Sequence, residues 1–276
     1  MKIRSSAFNV TAASICLTFL IQACSLNNVK TDDSLKKHFE KYNADGCFGI
    51  FDNSRGIFTI YNLDRLKKPY SPASTFKIPN ALIALQSGRL LDDSAVIKWD
   101  GIVRDRVEWN QDLSLYRAFK ASSVPHFQAL ARLIGRDTMQ AWLDTVKYGN
   151  RKIGAALDSF WLNQTLKITP DEQLGMVKRL YFRQLPFRAS VQESVKKMMI
   201  QENNSVYQLA FKTGWGETED GKPMGWMVGW IEENRHVYPF VLNFEINKDK
   251  ETEMPSLREA LLKDILTDLG FFKGRM

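Results

Sequence analysis

Strand-like runs stand at both ends of this chain and helical ones between them, and that order restricts the fold more than any other feature. Residues 47–52 and 57–61 read as two strands joined by Asn53-Ser54-Arg55-Gly56, a hairpin signal. Three more strand-like runs, 206–212, 225–231 and 237–246, come near the other end. Residues 34–43 form an amphipathic helix with Leu35, Phe39 and Tyr42 on one face. In the middle, Thr169-Pro170-Asp171-Glu172 opens one helix with an N-cap and Pro at its first position. Ser190 and Glu193 read as a capping box for the next. A last helix spans Pro255 to Leu269, with Leu257, Leu261, Ile265 and Leu269 inward and Gly270 as its stop. Strands at both ends with helices between them suggest one shared sheet, and a single interdigitated unit is the simplest account. The expectation is an α+β unit: an antiparallel sheet from both ends of the chain, covered by helices, with a helical insertion. No repeat and no linker rich in Pro, Gly or Ser divides residues 34–276.

The first residues read differently. Lys2 and Arg4 precede an uncharged, largely apolar stretch from Ala7 to Ile21, a secretory signal too short for a stable span. Ile21-Gln22-Ala23-Cys24 resembles a bacterial lipoprotein cleavage box. The expectation is a signal peptide over 1–23, lipidation at Cys24 and a short tether over 24–33; plain cleavage near Ala23 is the alternative. Export leads to the bacterial periplasm, with membrane attachment only through Cys24. Among the remaining residues Cys47 is the lone cysteine, so no intrachain disulfide is expected, and its apolar strand marks it as a buried, inert thiol. With 44% apolar and 25% charged residues in 276, the chain is neither disordered nor a multi-span membrane protein. The formal charge of +7, or +5 without Lys2 and Arg4, is spread in doublets such as Lys67-Lys68. That pattern argues against nucleic acid and leaves a membrane surface or an anionic small molecule as the partner.

A metal site is not expected, because His38, His126 and His236 are far apart and no paired ligand spacing exists. His126 and His236 read as structural. Neither a G-x-S-x-G elbow nor a P-loop occurs, so a nucleophile here would not depend on histidine. Lysine is the other base available. A Ser three residues before a Lys on a helix brings hydroxyl and amine to one face, and the amine can take a proton only if its surroundings keep it neutral. S-x-x-K occurs three times. Ser34–Lys37 and Ser194–Lys197 lie among surface charges and read as solvated faces. Ser74–Lys77 precedes the apolar stretch Ala81-Leu82-Ile83-Ala84-Leu85, where a lone lysine is costly unless it has a function or a partner. Taken alone, Ser74 could equally be an N-cap, set where a helix start would favour an oxyanion.

Four further motifs follow in order: Ser122-Ser123-Val124, Tyr148-Gly149-Asn150, Phe160-Trp161-Leu162 and Lys212-Thr213-Gly214. Singly they read as a cap, a helix stop, core aromatics and a strand edge. Together with Ser74-Thr75-Phe76-Lys77 they resemble the class D serine β-lactamases, the oxacillinases, and not class A, since S-D-N is absent. The resemblance runs from Gly46-Cys47-Phe48 to the C-terminal helix. It implies the three-layer αβα architecture of serine β-lactamases and penicillin-binding transpeptidases.

The resemblance also implies roles. Ser74 is acylated by the β-lactam; Lys77, carbamylated by carbon dioxide or bicarbonate to N6-carboxylysine, is the base. Trp161 holds the carbamate, and Phe76 and Val124 wall its pocket. Ser122 relays a proton to the lactam nitrogen. Lys212, Thr213, Gly214 and Arg258 receive the substrate, although Arg258 alone would read as a surface charge. The backbone N–H groups of Ser74 and Trp215 make the oxyanion hole, while Tyr148 and Asn150 are architectural. No other cofactor is implied, and monomer and homodimer both stay open. The enzyme implied is a hydrolase of cyclic amides conferring β-lactam resistance. A slow-releasing transpeptidase or carboxypeptidase and a β-lactam sensor domain are the competing readings.

Overall fold

A computed structural model describes residues 28–274. The signal segment and Cys24 lie outside them. The described chain begins with strand β1 (Val29–Thr31), then helix α1 (Lys36–Lys41), β2 (Asp45–Asp52), β3 (Ile57–Tyr61) and the short α2 (Leu63–Leu66). The insertion follows: α3 (Lys77–Gln86), β4 (Val96–Ile97), β5 (Leu113–Ser114), α4 (Leu115–Lys120), α5 (Val124–Ile134), α6 (Arg136–Val146), α7 (Pro170–Tyr181) and α8 (Ala189–Met199). Then come β6 (Ile200–Asn203), β7 (Tyr207–Glu217), β8 (Pro223–Glu233), β9 (His236–Glu245) and α9 (Met254–Asp268). One sheet runs β1-β3-β2-β9-β8-β7-β6, so the two ends of the chain meet at the β2–β9 pair.

Alternation along the strands explains the three layers. Phe240, Leu242 and Phe244 of β9 join Leu261 and Ile265 of α9 and Phe39 of α1 in one core. Val237 and Val241 of the same strand face the other core, with Leu174 of α7 and the helices of the insertion. A strand covered on both faces has no reason to alternate polar with apolar, and β8 is buried almost throughout. Gly229 shows how closely its neighbour approaches: a Cβ there would run into the Ala210 carbonyl of β7. Gly229→Val should therefore destabilise the protein by about 3 kcal/mol or more; a denaturant midpoint close to that of the parent would contradict this packing.

Several expectations change. Residues 29–31, read as tether, form an edge strand parallel to β3, so the sheet is mixed and not wholly antiparallel. Ser190 caps nothing: α8 begins at Ala189 behind Arg188, and Glu193 instead pairs with Lys196 at 3.2 Å. The capping box belongs to Thr169 and Glu172, whose side chains answer each other's backbone N–H. β7 runs to Glu217, five residues beyond the expected end, and α1 is shorter than the helix read over 34–43. Cys47 is fully buried, as expected, and burial pushes its thiol up to about 12. His126 is satisfied on both ring nitrogens by Ser123 Oγ at 2.7 Å and the Gln111 carbonyl at 3.0 Å. His236, read as structural, instead opens β9 in solvent.

Candidate active site

Ser74 does not cap a helix. It lies in a 3₁₀ turn, Ala73–Phe76, that runs directly into α3 at Lys77. Ala73 has φ of +47°, a left-handed conformation costly for a residue with a Cβ. Its surroundings hold it there. The Ala73 N–H donates to the Trp161 carbonyl at 3.1 Å, and Ser71 Oγ donates to the same oxygen at 2.8 Å. Thr75 Oγ1 donates to the Pro72 carbonyl and accepts from Gln173 Nε2 of α7. Ser74 is left partly exposed among buried neighbours, and Lys77 Nζ donates to its Oγ at 2.8 Å.

Lys77 is completely buried on a helix whose residues from Lys77 to Leu85 are all buried. Its Nζ sits 5.4 Å from the centre of the Phe127 ring, with no carboxylate pairing it among the described residues. Desolvation, helped by the Arg106 guanidinium, pulls its pKa from 10.5 down to about 7. Phe76 stacks on Trp161 with ring centres 5.2 Å apart and meets Phe160 and Tyr148 edge-on. Inside this aromatic wall the Trp161 indole N–H is buried and has no acceptor among the described residues. Buried donors are rarely left so. Asn150 fastens the loop that carries Trp161: its backbone N–H donates to the Lys167 carbonyl, and its Oδ1 accepts from the Lys167 N–H. Tyr148 and Asn150 therefore build the wall and do not reach the Ser74 hydroxyl.

The facing wall is β7. β6 covers only Gln208–Ala210 of it, so from Phe211 to Glu217 that edge has no strand partner among the described residues. Gly214 lets it close on the Ser74 turn, since a Cβ there would stand 3.1 Å from the Pro72 carbonyl oxygen. Gly216 lies nearly as closely against Ala73, whose Cβ would stand 3.3 Å from one placed at Gly216. Trp215, between them, turns its side chain to solvent, 41% exposed. Lys212 is buried and donates to Ser122 Oγ at 2.9 Å and to the Thr213 carbonyl at 3.1 Å. Burial, then Lys77, Arg258, Arg106 and Lys120, pull its pKa well down. Ser122 is not the residue at the start of α5; Ser123 is, and Ser122 precedes it at φ +51°. Arg258 reaches in from α9 with its Nε buried and without an acceptor among the described residues. Ser74, Ser122, Val124, Lys212, Thr213 and Arg258 all line one cleft of about 890 Å³. A nucleophile next to an amine whose pKa is drawn down to about 7, an open strand edge and several cations in one cleft suit acyl transfer from an anionic substrate.

Known proteins show the same organisation. The penicillin-binding protein transpeptidase domain family matches residues 26–267. β-Lactamase OXA-5 of Pseudomonas aeruginosa is 36% identical, covering 95% of this chain and 98% of its own. The class D β-lactamase FUS-1 (OXA-85) of Fusobacterium nucleatum superposes with a TM-score of 0.83 at 34% identity, covering 88% of this chain and all of the other. The chain belongs to the class D β-lactamases. The C-terminal domain of the Bacillus licheniformis BlaR penicillin-receptor, 31% identical with a TM-score of 0.82 over 88% of this chain and 97% of the receptor domain, shares the architecture.

This class D β-lactamase carries cleft residues that no motif announced. Arg106 and Lys120 line the cleft, and Trp109 joins them through Nε1, which donates to the Ala121 carbonyl at 3.1 Å. Arg106 lies 4.8 Å from the centre of the Trp109 ring. Lys120 points its Nζ at the Ile200 carbonyl. They come from a loop and a helix end where spacing carries no period, so only the R-x-x-W stacking pair could have marked them.

Proposed function

We propose that this chain hydrolyses the amide of penicillins through an acyl-enzyme on Ser74, with Lys77 as the base. The observation that carries the reading is the 2.8 Å contact between Ser74 Oγ and a fully buried lysine whose pKa is drawn down to about 7. A neutral amine has the lone pair needed to take the hydroxyl proton as Oγ attacks the lactam carbonyl. The same lone pair can add to carbon dioxide, releasing one proton and leaving a carbamate. The orphaned Trp161 N–H supports this, because a carbamate oxygen is the acceptor it lacks. Once formed, the carbamate supplies an anionic base in a pocket walled by Phe76 and Val124.

The unpaired edge of β7 supports an oxyanion hole formed by the backbone N–H groups of Ser74 and Trp215. Ser122, held by Lys212, passes a proton to the lactam nitrogen as the C–N bond breaks. Lys212, Thr213 and Arg258 bind the ring carboxylate, while Gly214 lets the substrate lie flat against the strand. The segment 1–23 is read as an export signal to the periplasm, with lipidation at Cys24. No helix among the described residues is long and apolar enough to cross a membrane.

Steady-state hydrolysis of benzylpenicillin, with and without bicarbonate, tests the reading. Multiple turnovers increased by bicarbonate are expected. Activity should rise with pH through about 7, because the Lys77 amine must lose its proton both to act as a base and to capture carbon dioxide. A flat profile from pH 6 to 8 would count against a titrating lysine. One stoichiometric burst without release would favour a receptor like the similar BlaR domain, or a transpeptidase.

A further inference from the structure

The ring carboxylate of a penicillin needs one cationic site, yet the cleft has more cations than that. Arg106, Lys120, Lys212 and Arg258 all line it. Lys120 is committed to the Ile200 carbonyl. Lys212 and Arg258, on β7 and α9, are taken up by the ring carboxylate in the reading above. Arg106 remains, and it stands on a different wall, the loop between β4 and β5. Stacking on Trp109, and the Trp109 bond to the Ala121 carbonyl next to Ser122, place that loop beside the reacting groups. The acylamino side chain of a penicillin leaves the bicyclic nucleus next to the attacked carbonyl, away from the ring carboxylate. A group on that side chain is therefore the one that can meet Arg106.

Resting on the hydrolase reading, we propose that Arg106 is a specificity-determining residue that favours β-lactams carrying a second anion, a carboxylate on the acylamino side chain. Its present partner does not prevent this. Glu108 Oε1 lies 3.1 Å from Arg106 Nε with both side chains about half exposed, at 57% and 49%. Ion pairs that open to water are weak and exchange partners easily. A planar guanidinium fixed over an indole can present its remaining N–H groups to a carboxylate in bidentate fashion.

The test compares benzylpenicillin with its α-carboxy derivative, which differ only by that anion. The readout is the ratio of their second-order rates of Ser74 acylation, followed by mass spectrometry, so a general effect on the site cancels. Arg106→Gln should lower the ratio of dianion to monoanion about fivefold to tenfold, as expected for loss of a charge-assisted contact. Arg106→Lys should restore part of it. Glu108→Gln should act in the opposite direction and raise the ratio by freeing the guanidinium. Added salt should reduce the ratio in the parent and reduce it less in Arg106→Gln, where the remaining cleft cations still act. A ratio within twofold of the parent in Arg106→Gln, or a fall in Glu108→Gln, overturns the assignment. Acylation without product release would overturn the hydrolase reading instead, and the acylation ratio would still decide for or against Arg106.

Discussion

Lys77→Met should lower turnover of benzylpenicillin by about a thousandfold or more, as loss of a base does, and at the same time raise thermal stability. Met has nearly the shape of the lysine stem and no charge to bury. Replacing the buried ammonium should stabilise the fold by about 1–3 kcal/mol, the range seen when buried charges give way to apolar groups. The sign of the pH dependence follows from the lowered pKa. In the unfolded chain the lysine keeps its proton up to 10.5, whereas in the folded protein it loses it near 7. Below about pH 7 the folded protein carries the whole burial penalty. Between 7 and 10.5 the unfolded state binds the extra proton, so this group makes stability rise with pH. The gain from Met should be largest below pH 7 and fade towards 10.5. Melting curves over that range, with steady-state kinetics, check both halves. Retained turnover in Lys77→Met would remove Lys77 from the mechanism.

Trp161→Phe should separate the two halves of the reaction. Phe can keep a ring stacked on Phe76, where the centres are now 5.2 Å apart, but it lacks the N–H and is a smaller ring than the indole. Loss of one donor aimed at a reacting anion costs about a hundredfold in kcat. That loss should fall mainly on deacylation, which depends on the base staying in place after the first proton transfer. Acyl-enzyme should then accumulate, and the dependence on bicarbonate should steepen. Stability should fall by about 1–2 kcal/mol, because the smaller ring leaves a cavity at a fully buried position. Equal slowing of acylation and deacylation in single-turnover experiments would argue for a packing role instead.

What the sequence revealed and what it hid follow from the reach of local geometry. Ser74 and Lys77 were legible because three residues of turn and helix fix their separation, whatever surrounds them. The burial of Cys47 and the inward row of α9 were legible because strand and helix periods survive in any context. Ser190 and Glu193 had the right spacing for a capping box, but Arg188 supplies the entry to α8, so the Ser falls inside the first turn. β1 was missed because three exposed residues, Val29–Thr31, owe their strand entirely to β3 beside them. Arg106 was missed for a related reason. Beyond the R-x-x-W spacing to Trp109, its place depends on the bond from Trp109 to the Ala121 carbonyl, and no sequence spacing encodes that approach.

The pairing of β2 with β9 has a consequence for how the molecule comes into being. Asp45 lies opposite Glu245, and Ile50 opposite Phe240, so the middle of the sheet joins residues separated by most of the chain. Closing so long a loop costs entropy before any contact repays it, and topologies of this kind fold slowly. Until residues 236–245 have been synthesised, β2 and the helices of the insertion have no completed sheet to pack on. The core would therefore consolidate late and nearly all at once, and a chain interrupted after α8 would leave the fully buried residues of β2 exposed to association with other chains.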